Sequence, residues 1–159
     1  MSIIEVTFEY PLAFDTSVFT HLRKNQSYVS KKVFDYFSHT QRVPALPAMT
    51  IFEAKWGIEK EFSRKEITNE EYEKFIARVD ELISQHQILA FDQKAAEIAS
   101  FIYARMSKSD QNKHWEDLFI IATAIAHNHG LITQNARDAK FLANYLPKDM
   151  YLRLAVWKL

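Results

Sequence analysis

Residues 113–142 predict a long buried helix that is followed at once by a short buried strand. The apolar residues of its first half recur at helical spacing, at Leu118, Ile121, Ala122 and Ile125. The segment 128–130 ends in glycine and predicts the end of this helix. Residues 131–133 then predict an apolar strand, and residues 135–138 the cap and first turn of another helix. Such a direct passage from helix to strand to helix is typical of an α/β layer.

The same alternation runs along the rest of the chain. The segments predicted as strands are 3–10, 12–14, 45–49, 88–91 and 151–157. The helices predicted between them begin near Val18, Tyr28, Thr50, Thr68 and Asp92, and the two threonines open capping-box patterns. This order predicts an α/β fold with a mainly parallel sheet and helices on both faces. A length of 159 residues suits a single domain that spans residues 1–159.

Composition excludes several classes of protein. The absence of cysteine excludes disulfides and thiolate metal sites. Only two glycines occur, so the glycine loops that bind nucleotide phosphates are absent and no nucleotide cofactor is expected. Twenty basic residues balance twenty acidic ones, so contact with nucleic acid would need a local basic patch. No apolar run is long enough to span a bilayer, and Glu5 and Glu9 do not suit a signal peptide, so we expect a cytoplasmic protein without membrane contact.

Acidic residues stand at the points where predicted strands give way to helices. Asp15 follows the strand 12–14, and Glu53 lies just after the strand 45–49. Asp117 is expected in the first turn of the long helix, with Asn135 and Asp138 after the strand that follows it. These points share one edge of a parallel sheet, which is the edge where open α/β sheets bind ligands. We therefore expect the acidic side chains to converge.

A simpler interpretation of each single residue is a helix cap, because acidic side chains are favoured at helix starts. Glu53 and Asp138 suit it best, since they stand three residues after Thr50 and Asn135. If the acidic side chains do converge, capping alone does not explain them, because their charges repel one another. Two carboxylates about 4 Å apart repel by roughly 4 kcal/mol at an effective dielectric constant of 20, so a cluster needs protons, basic neighbours or a cation. An oxygen-only site favours Mg²⁺ or Mn²⁺, which can promote phosphodiester hydrolysis.

The segments that carry these residues resemble, in order, the sequence blocks of PIN-domain nucleases, and especially the VapC-type toxins of toxin–antitoxin systems. The blocks are LAFDTSVF, MTIFEAKWG, ILAFDQKAAEIA, WEDLFIIATAIAHNHGLITQNARDAKF and LRLAVW. The resemblance covers most of the chain and implies a three-layer α/β/α sandwich whose acidic pocket binds Mg²⁺ or Mn²⁺ and cleaves RNA. Residues 1–11 extend beyond the usual start of the family, and we interpret them as an extension that adds an edge strand.

The resemblance also assigns roles to residues. Asp15, Glu53 and Asp117 match the acidic metal-binding positions of the family, with Glu53 binding directly or through water. Thr133 and Asn135 match its Thr-x-Asn corner, where Asn135 would orient water or substrate. Because this fourth position holds an amide, a second metal ion would need Asp138. The residues expected to contact substrate are Thr16, Thr133, His114 and Arg137.

The sequence leaves two main functional hypotheses. The first is a metal-dependent endoribonuclease, a toxin that is held inactive by an antitoxin and that forms a homodimer. The second is a non-catalytic PIN-like module that binds RNA or protein, which the amide at Asn135 and the neutral net charge would favour. A phosphate-transfer enzyme with Asp15 as nucleophile is a poorer third hypothesis, because Ser17 stands where a second aspartate would be expected.

Overall fold

The computed structural model describes residues 2–7 and 10–158. Its strands are β1 (Ile3–Glu5), β2 (Leu12–Phe14), β3 (Leu46–Pro47), β4 (Ile88–Leu89), β5 (Gly130–Thr133) and β6 (Leu152–Val156). Its helices are α1 (Thr16–Arg23), α2 (Ser27–Thr40), α3 (Ala48–Ser63), α4 (Asn69–Gln85), α5 (Gln93–Arg105), α6 (Lys108–Ala126) and α7 (Arg137–Ala143). Strands and helices therefore alternate along most of the chain, as the sequence predicted. No helix in the described ranges is long and apolar enough to cross a membrane.

The central sheet has the strand order β1-β6-β5-β2, and β3 pairs with β4 beside it. Each of these pairs is parallel. Ala45 joins the two groups, because its carbonyl accepts from the amide of Phe14 at 3.0 Å and its amide donates to the carbonyl of Leu12 at 2.7 Å. The mainly parallel sheet predicted from the sequence is thereby confirmed.

Helices cover both faces of this sheet. Helices α1 to α4 pack on one face, where Ile132 of β5 and Ala155 of β6 point into the apolar core. Helices α5 to α7 pack on the other face, against Leu131 and Leu154 of the same two strands. Successive residues of a strand point to opposite faces, so two apolar neighbours in β5 serve two separate cores. The three-layer α/β/α sandwich is confirmed.

Two predicted helix starts were wrong, and both concern candidate site residues. Helix α3 begins at Ala48 after Pro47, so Thr50 is not its cap and instead donates a buried hydrogen bond of 3.2 Å to the carbonyl of Phe14. Helix α6 begins at Lys108, because Ser107 accepts a hydrogen bond from the amide of Asp110 at 3.1 Å. Glu53 therefore lies in the second turn of α3 rather than in a capping box.

Asp117 lies in the third turn of α6, not in the first turn as predicted. The first turns of α6 are rich in polar residues that face solvent, so they lack the apolar spacing that marks a helix in a sequence. For the same reason the segment 107–113 was mistaken for a loop.

The predicted first strand, residues 3–10, is shorter in the structure. Strand β1 ends at Glu5, and Phe8 and Glu9 lie outside the described residues. It pairs with β6 at the edge of the sheet, where the amide of Val6 also donates to the carbonyl of Leu154 at 3.0 Å. The expected edge strand is present, and the interpretation of residues 1–11 as an extension remains a prediction.

Candidate active site

The candidate site is a cleft of about 200 Å³ at the carboxyl ends of β2 and β5. Its polar lining comes from the start of α1, the middle of α6, the end of β5 and the start of α7. The polar residues are Asp15, Thr16, Ser17, Asp117, Thr133, Asn135 and Asp138. Apolar residues complete the lining, at Ile120, Ile121, Leu131 and Ala139. Parallel strands bring these distant parts of the chain to one edge of the sheet. The structure thus brings together most of the residues selected from the sequence, but not all of them.

Asp15 occupies the N-cap of α1, directly after the buried strand β2. Its Oδ1 accepts hydrogen bonds from the amide of Val18 at 2.9 Å and from the hydroxyl of Ser17 at 3.0 Å. Burial raises the pKa of the Asp15 carboxyl, and the hydrogen bonds from Val18 and Ser17 oppose that rise. Capping fixes this carboxylate in place while the cleft disfavours its charge.

Asp117 projects into the same cleft from α6. Burial, followed by the negative charges of Asp138 and Asp15, raises the pKa of Asp117 to about 6. The interaction with His114 acts in the opposite direction. The effect of Asp15 on the pKa of Asp117 shows that carboxylates far apart in sequence lie close enough to interact.

Glu53 approaches from α3 and lies behind Thr16 rather than in the lining of the cleft. The hydroxyl of Thr16 donates to Oε1 of Glu53 at 2.9 Å. Burial, followed by a hydrogen bond with Glu116, raises the pKa of Glu53 to about 8. Two carboxyl groups can form a hydrogen bond only when one of them is protonated, so this contact favours the neutral form of Glu53. The nearby charge of Asp117 adds to the same effect.

Glu116 is a site residue that the sequence analysis missed. It directly precedes Asp117, and the acidic pair was the only signal that the sequence offered. Neighbouring residues on a helix point about 100° apart, so they seldom face one target. Here Asp117 faces the cleft while Glu116 meets Glu53 of α3. The acidic group therefore extends from the cleft to a second layer of carboxyl groups beside it.

The corner between β5 and α7 is held by short local hydrogen bonds. The hydroxyl of Thr133 donates to the carbonyl of Asn135 at 3.1 Å, and the amide of Asn135 donates to that hydroxyl at 3.3 Å. The side-chain oxygen of Asn135 accepts from the backbone amide of Arg137 at 3.0 Å. This oxygen serves the turn, so the side-chain NH₂ of Asn135 is the group best placed to contact a ligand.

A residue that contacts substrate is expected to face solvent, but His114 does not. Its side chain is only 6% exposed and packs on the ring of Phe141, with the ring centres 5.0 Å apart. Its nearest ionisable neighbours are Asp117 and Asp138, and one ligand atom from each of the three residues lies within 4.8 Å of the others. Asp138, which the sequence offered only as a candidate for a second metal ion, lines the cleft.

Arg137 lines a neighbouring groove instead of the acidic cleft. This groove has a volume of about 640 Å³ and runs between the ends of β1 and β6 and the start of α7. Its charged residues are Glu5, Arg137, Lys140 and Lys158. Asn135 lines both the groove and the acidic cleft, so the two are adjacent. A region of positive charge therefore adjoins the cluster of carboxylates.

The acidic group suits a divalent cation. Within the part of the chain that the structure describes, no lysine or arginine forms an ion pair with Asp15, Glu53, Asp117 or Asp138. Burial is the main cause of the raised pKa values of Asp15, Glu53 and Asp117, and neighbouring carboxylates add to it for Glu53 and Asp117. A bound cation would favour the ionised form of each of these groups. Carboxylate oxygens are the ligands that Mg²⁺ and Mn²⁺ prefer. Asp15, Asp117 and Asp138 are the carboxylates that line the cleft.

Comparison with known proteins agrees with this geometry. A family model described as the PIN domain matches residues 12–143. This range includes every residue of the acidic group and confirms the resemblance drawn from the sequence blocks. No curated protein matched the chain.

Several solved structures share the fold. DNA-bound VapBC from Salmonella typhimurium has a TM-score of 0.67 at 20% identity, covering 93% of this chain and 98% of the other. FitAcB from Neisseria gonorrhoeae has a TM-score of 0.65 at 20% identity, covering 93% and 99%. VapBC-5 from Mycobacterium tuberculosis, a member of the VapBC family of toxin-antitoxin systems, has a TM-score of 0.57 at 18% identity, covering 92% and 97%.

Proposed function

This chain belongs to the PIN domain family, and we propose on that basis that it is a metal-dependent endoribonuclease. The observation that carries the proposal is the pair Asp15 and Asp117, which reach one cleft from different elements, where the charge of Asp15 raises the pKa of Asp117. Helix capping explains the position of Asp15, but it does not explain Asp117 in the third turn of a helix. A divalent ion and the phosphodiester it activates would account for both.

In this proposal Asp15 and Asp117 would hold the ion, Mg²⁺ or Mn²⁺, directly. When bound, the ion would neutralise charge on the scissile phosphate and assist water as the nucleophile. The hydroxyl of Ser17 and the amide of Val18 hold the Asp15 carboxylate through hydrogen bonds and so fix one wall of the cleft. The Asn135 side-chain NH₂ would donate to a phosphate oxygen or to the attacking water.

The sequence analysis left open whether Glu53 binds the ion directly or through water, and the contacts of its carboxyl group favour the second. Thr16 and Glu116 both bond to its carboxyl group, so it would act on the ion through water rather than as a direct ligand. A proton held by Glu53 would remove one negative charge beside Asp117 and so favour the ionised form of Asp117 when a cation binds. Thr16 is then a positioning residue for Glu53.

The groove next to the cleft would bind RNA on one side of the scissile bond. Arg137, Lys140 and Lys158 line it, and Asn135 connects it to the acidic cleft. A polyanion that enters a cluster of carboxylates needs compensating cations along its path, and lysine and arginine provide them. The net charge of the whole chain is zero, so this local patch is the feature that favours RNA.

The fold shared with VapBC and FitAcB supports a biological role as the toxin of a toxin–antitoxin pair. An antitoxin would inhibit the enzyme by covering the acidic cleft, and the toxin would act in the cytoplasm as a homodimer. Co-expression with the product of a neighbouring short reading frame tests the pairing, because an antitoxin would relieve growth inhibition and co-purify with this chain. Light scattering of the isolated chain tests the dimer.

A non-catalytic binding module is the alternative, and the geometry of Asn135 favours it. Its oxygen already accepts from the amide of Arg137, so the fourth acidic position of the family contributes neither charge nor a free oxygen. Such a module would not need a metal ion. Thermal unfolding with and without millimolar Mn²⁺ separates the two, since binding at 100 times the dissociation constant stabilises the folded state by about 2.7 kcal/mol.

Cleavage of a mixed tRNA and rRNA preparation tests the proposed activity. The purified chain is incubated with Mg²⁺ or Mn²⁺ and, separately, with EDTA. Asp117→Asn is compared with the matched variant Asp149→Asn, whose side chain is exposed and outside the cleft. We expect metal-dependent cutting that Asp117→Asn abolishes and Asp149→Asn preserves. Equal cutting by both variants would contradict the assignment of the site.

A further inference from the structure

We propose that His114, Asp117 and Asp138 form a metal site with a nitrogen ligand, which selects a first-row transition ion such as Mn²⁺ over Mg²⁺. The proposal extends the proposed function, because Asp117 belongs to both groups of ligands. It adds to that function the chemical class of the ion and a direct role for His114 and Asp138.

The three side chains come from two elements that pack together. His114 and Asp117 are three residues apart on α6, and Asp138 lies in the first turn of α7. Residues three apart on a helix point to the same side. One ligand atom from each residue lies within 4.8 Å of the others. Three ligands of one ion with bonds of about 2.1 Å lie about 3.0–3.6 Å from one another, so side-chain movements of about 1 Å would close the group around an ion.

The environment of His114 provides a second and independent observation. Its side chain is 6% exposed, and it forms no hydrogen bond within residues 2–7 and 10–158. Its ring packs against that of Phe141, and one of its nitrogens lies within 4.8 Å of a carboxylate oxygen of Asp117 and of Asp138. The imidazole is therefore held beside the two carboxylates by packing and not by a hydrogen bond. A metal ion between His114 and the two carboxylates would give this imidazole a ligand to bind.

The donor set determines which ion fits. One imidazole and two carboxylates suit Mn²⁺, Fe²⁺, Co²⁺ or Zn²⁺, whereas Mg²⁺ prefers oxygen ligands and keeps much of its water. The sites formed by oxygen alone, around Asp15, would accept either Mg²⁺ or Mn²⁺. A preference for a transition ion would therefore depend on His114.

Pulsed electron paramagnetic resonance of Mn²⁺ bound to the full chain tests the proposal without an activity assay. In wild-type protein with less than one equivalent of Mn²⁺, we expect coupling to the ¹⁴N of one imidazole. His114→Gln should lose this coupling and bind Mn²⁺ at least about tenfold more weakly, with little change in Mg²⁺ affinity. The matched variant His39→Gln, whose side chain is exposed on α2, should behave as wild type.

Asp138→Asn provides a second variant, because its side chain is exposed and its substitution does not disturb the core. It should also weaken Mn²⁺ binding at least about tenfold. Mn²⁺ that binds without ¹⁴N coupling, or with unchanged affinity in both variants, would overturn this inference while leaving the oxygen-liganded nuclease intact. Absence of Mn²⁺ binding together with absence of RNA cleavage would overturn the proposed function as well.

Discussion

The hydroxyl of Thr16 donates a hydrogen bond of 2.9 Å to Oε1 of Glu53, and this bond joins the start of α1 to the second turn of α3. Thr16 immediately follows Asp15 and lines the cleft, whereas Glu53 immediately precedes the buried residue Ala54. It also explains why Glu53 does not line the cleft itself. Its carboxyl group is committed to Thr16 on one side and to Glu116 on the other.

Replacement of Thr16 by valine tests this connection. The variant keeps the shape of the side chain but removes the hydrogen bond, so the free energy of unfolding should fall by about 1 kcal/mol. The pKa of Glu53 should rise, because the bond from Thr16 lowers it. Urea denaturation measures the first effect, and carboxyl chemical shifts in NMR titration measure the second. Thr20→Val, on the same helix, is the control and should leave the pKa of Glu53 unchanged.

The pH dependence of stability follows from the direction of the pKa shifts. Asp15, Asp117 and Glu53 all have raised pKa values in the folded state, with Asp117 at about 6 and Glu53 at about 8. The folded protein then binds more protons than the unfolded chain between about pH 4 and pH 8, so the contribution of these groups to stability decreases as pH rises through that range. In EDTA, the melting temperature should fall between pH 5 and pH 8.

Asp117→Asn should weaken this dependence, since the substitution removes one of the titrating groups and lowers the pKa of Glu53. At pH 8 without metal, the variant should therefore melt at a higher temperature than wild type. Saturating Mn²⁺ should reverse the order, because only wild type gains stability from the bound ion. A wild-type melting temperature that rises from pH 5 to pH 8 in EDTA would contradict the account of the acidic group.

The basic groove makes a prediction about substrate length. The double variant Lys140→Ala/Lys158→Ala should raise KM for a long single-stranded RNA and leave the cleavage of a dinucleotide nearly unchanged, because the dinucleotide does not reach the groove. Loss of two phosphate contacts should reduce the slope of log affinity against log salt concentration by about 1.4. Fluorescence anisotropy of labelled RNA measures this slope.

Lys74→Ala/Lys94→Ala is the matched control for that experiment, since both lysines are exposed on helices outside the groove. The control should keep the salt dependence of wild type. Equal loss of affinity in the two double variants would show that the RNA responds only to overall charge.

The two glycines of the chain predict opposite effects of substitution by alanine. A Cβ atom at Gly130 would come within 2.9 Å of Leu12 Cδ2 and 3.2 Å of Val6 Cγ2, where β5 pairs with β2. Gly130→Ala should therefore destabilise the protein by about 1–3 kcal/mol. A Cβ at Gly57 in α3 would meet nothing within 4 Å, so Gly57→Ala should stabilise by about 0.5–1 kcal/mol. Thermal or urea unfolding measures both, and equal effects of the two substitutions would contradict the packing of β2 on β5.

The sequence predicted the parallel sheet and the position of Asp15 because local signals determine both. Strand β2 is buried throughout and reads as an uninterrupted apolar segment, and Asp15 follows it as the cap of a helix. The sequence analysis placed Asp117 correctly in the acidic cluster, but it did so on a wrong helix start. The true start of α6 is capped by Ser107, and the polar turns that follow show no apolar spacing.

The partners of Glu53 and His114 were not predictable in the same way. Glu116 becomes relevant only because α3 packs beside α6, and His114 only because α7 brings Asp138 to it. Such contacts depend on how helices that are distant in sequence pack together, and apolar periodicity does not specify this packing. The tertiary structure alone brings these ionisable groups together.

The central claim is that the acidic cleft directs water to a phosphodiester bond. Its most direct test is cleavage of a defined single-stranded RNA in H₂¹⁸O with Mn²⁺, followed by mass spectrometry of the products. We predict one ¹⁸O atom in the new terminal phosphate, with no such product from Asp117→Asn. Products that carry a 2′,3′-cyclic phosphate without ¹⁸O, or cleavage that persists in Asp117→Asn, would contradict the claim.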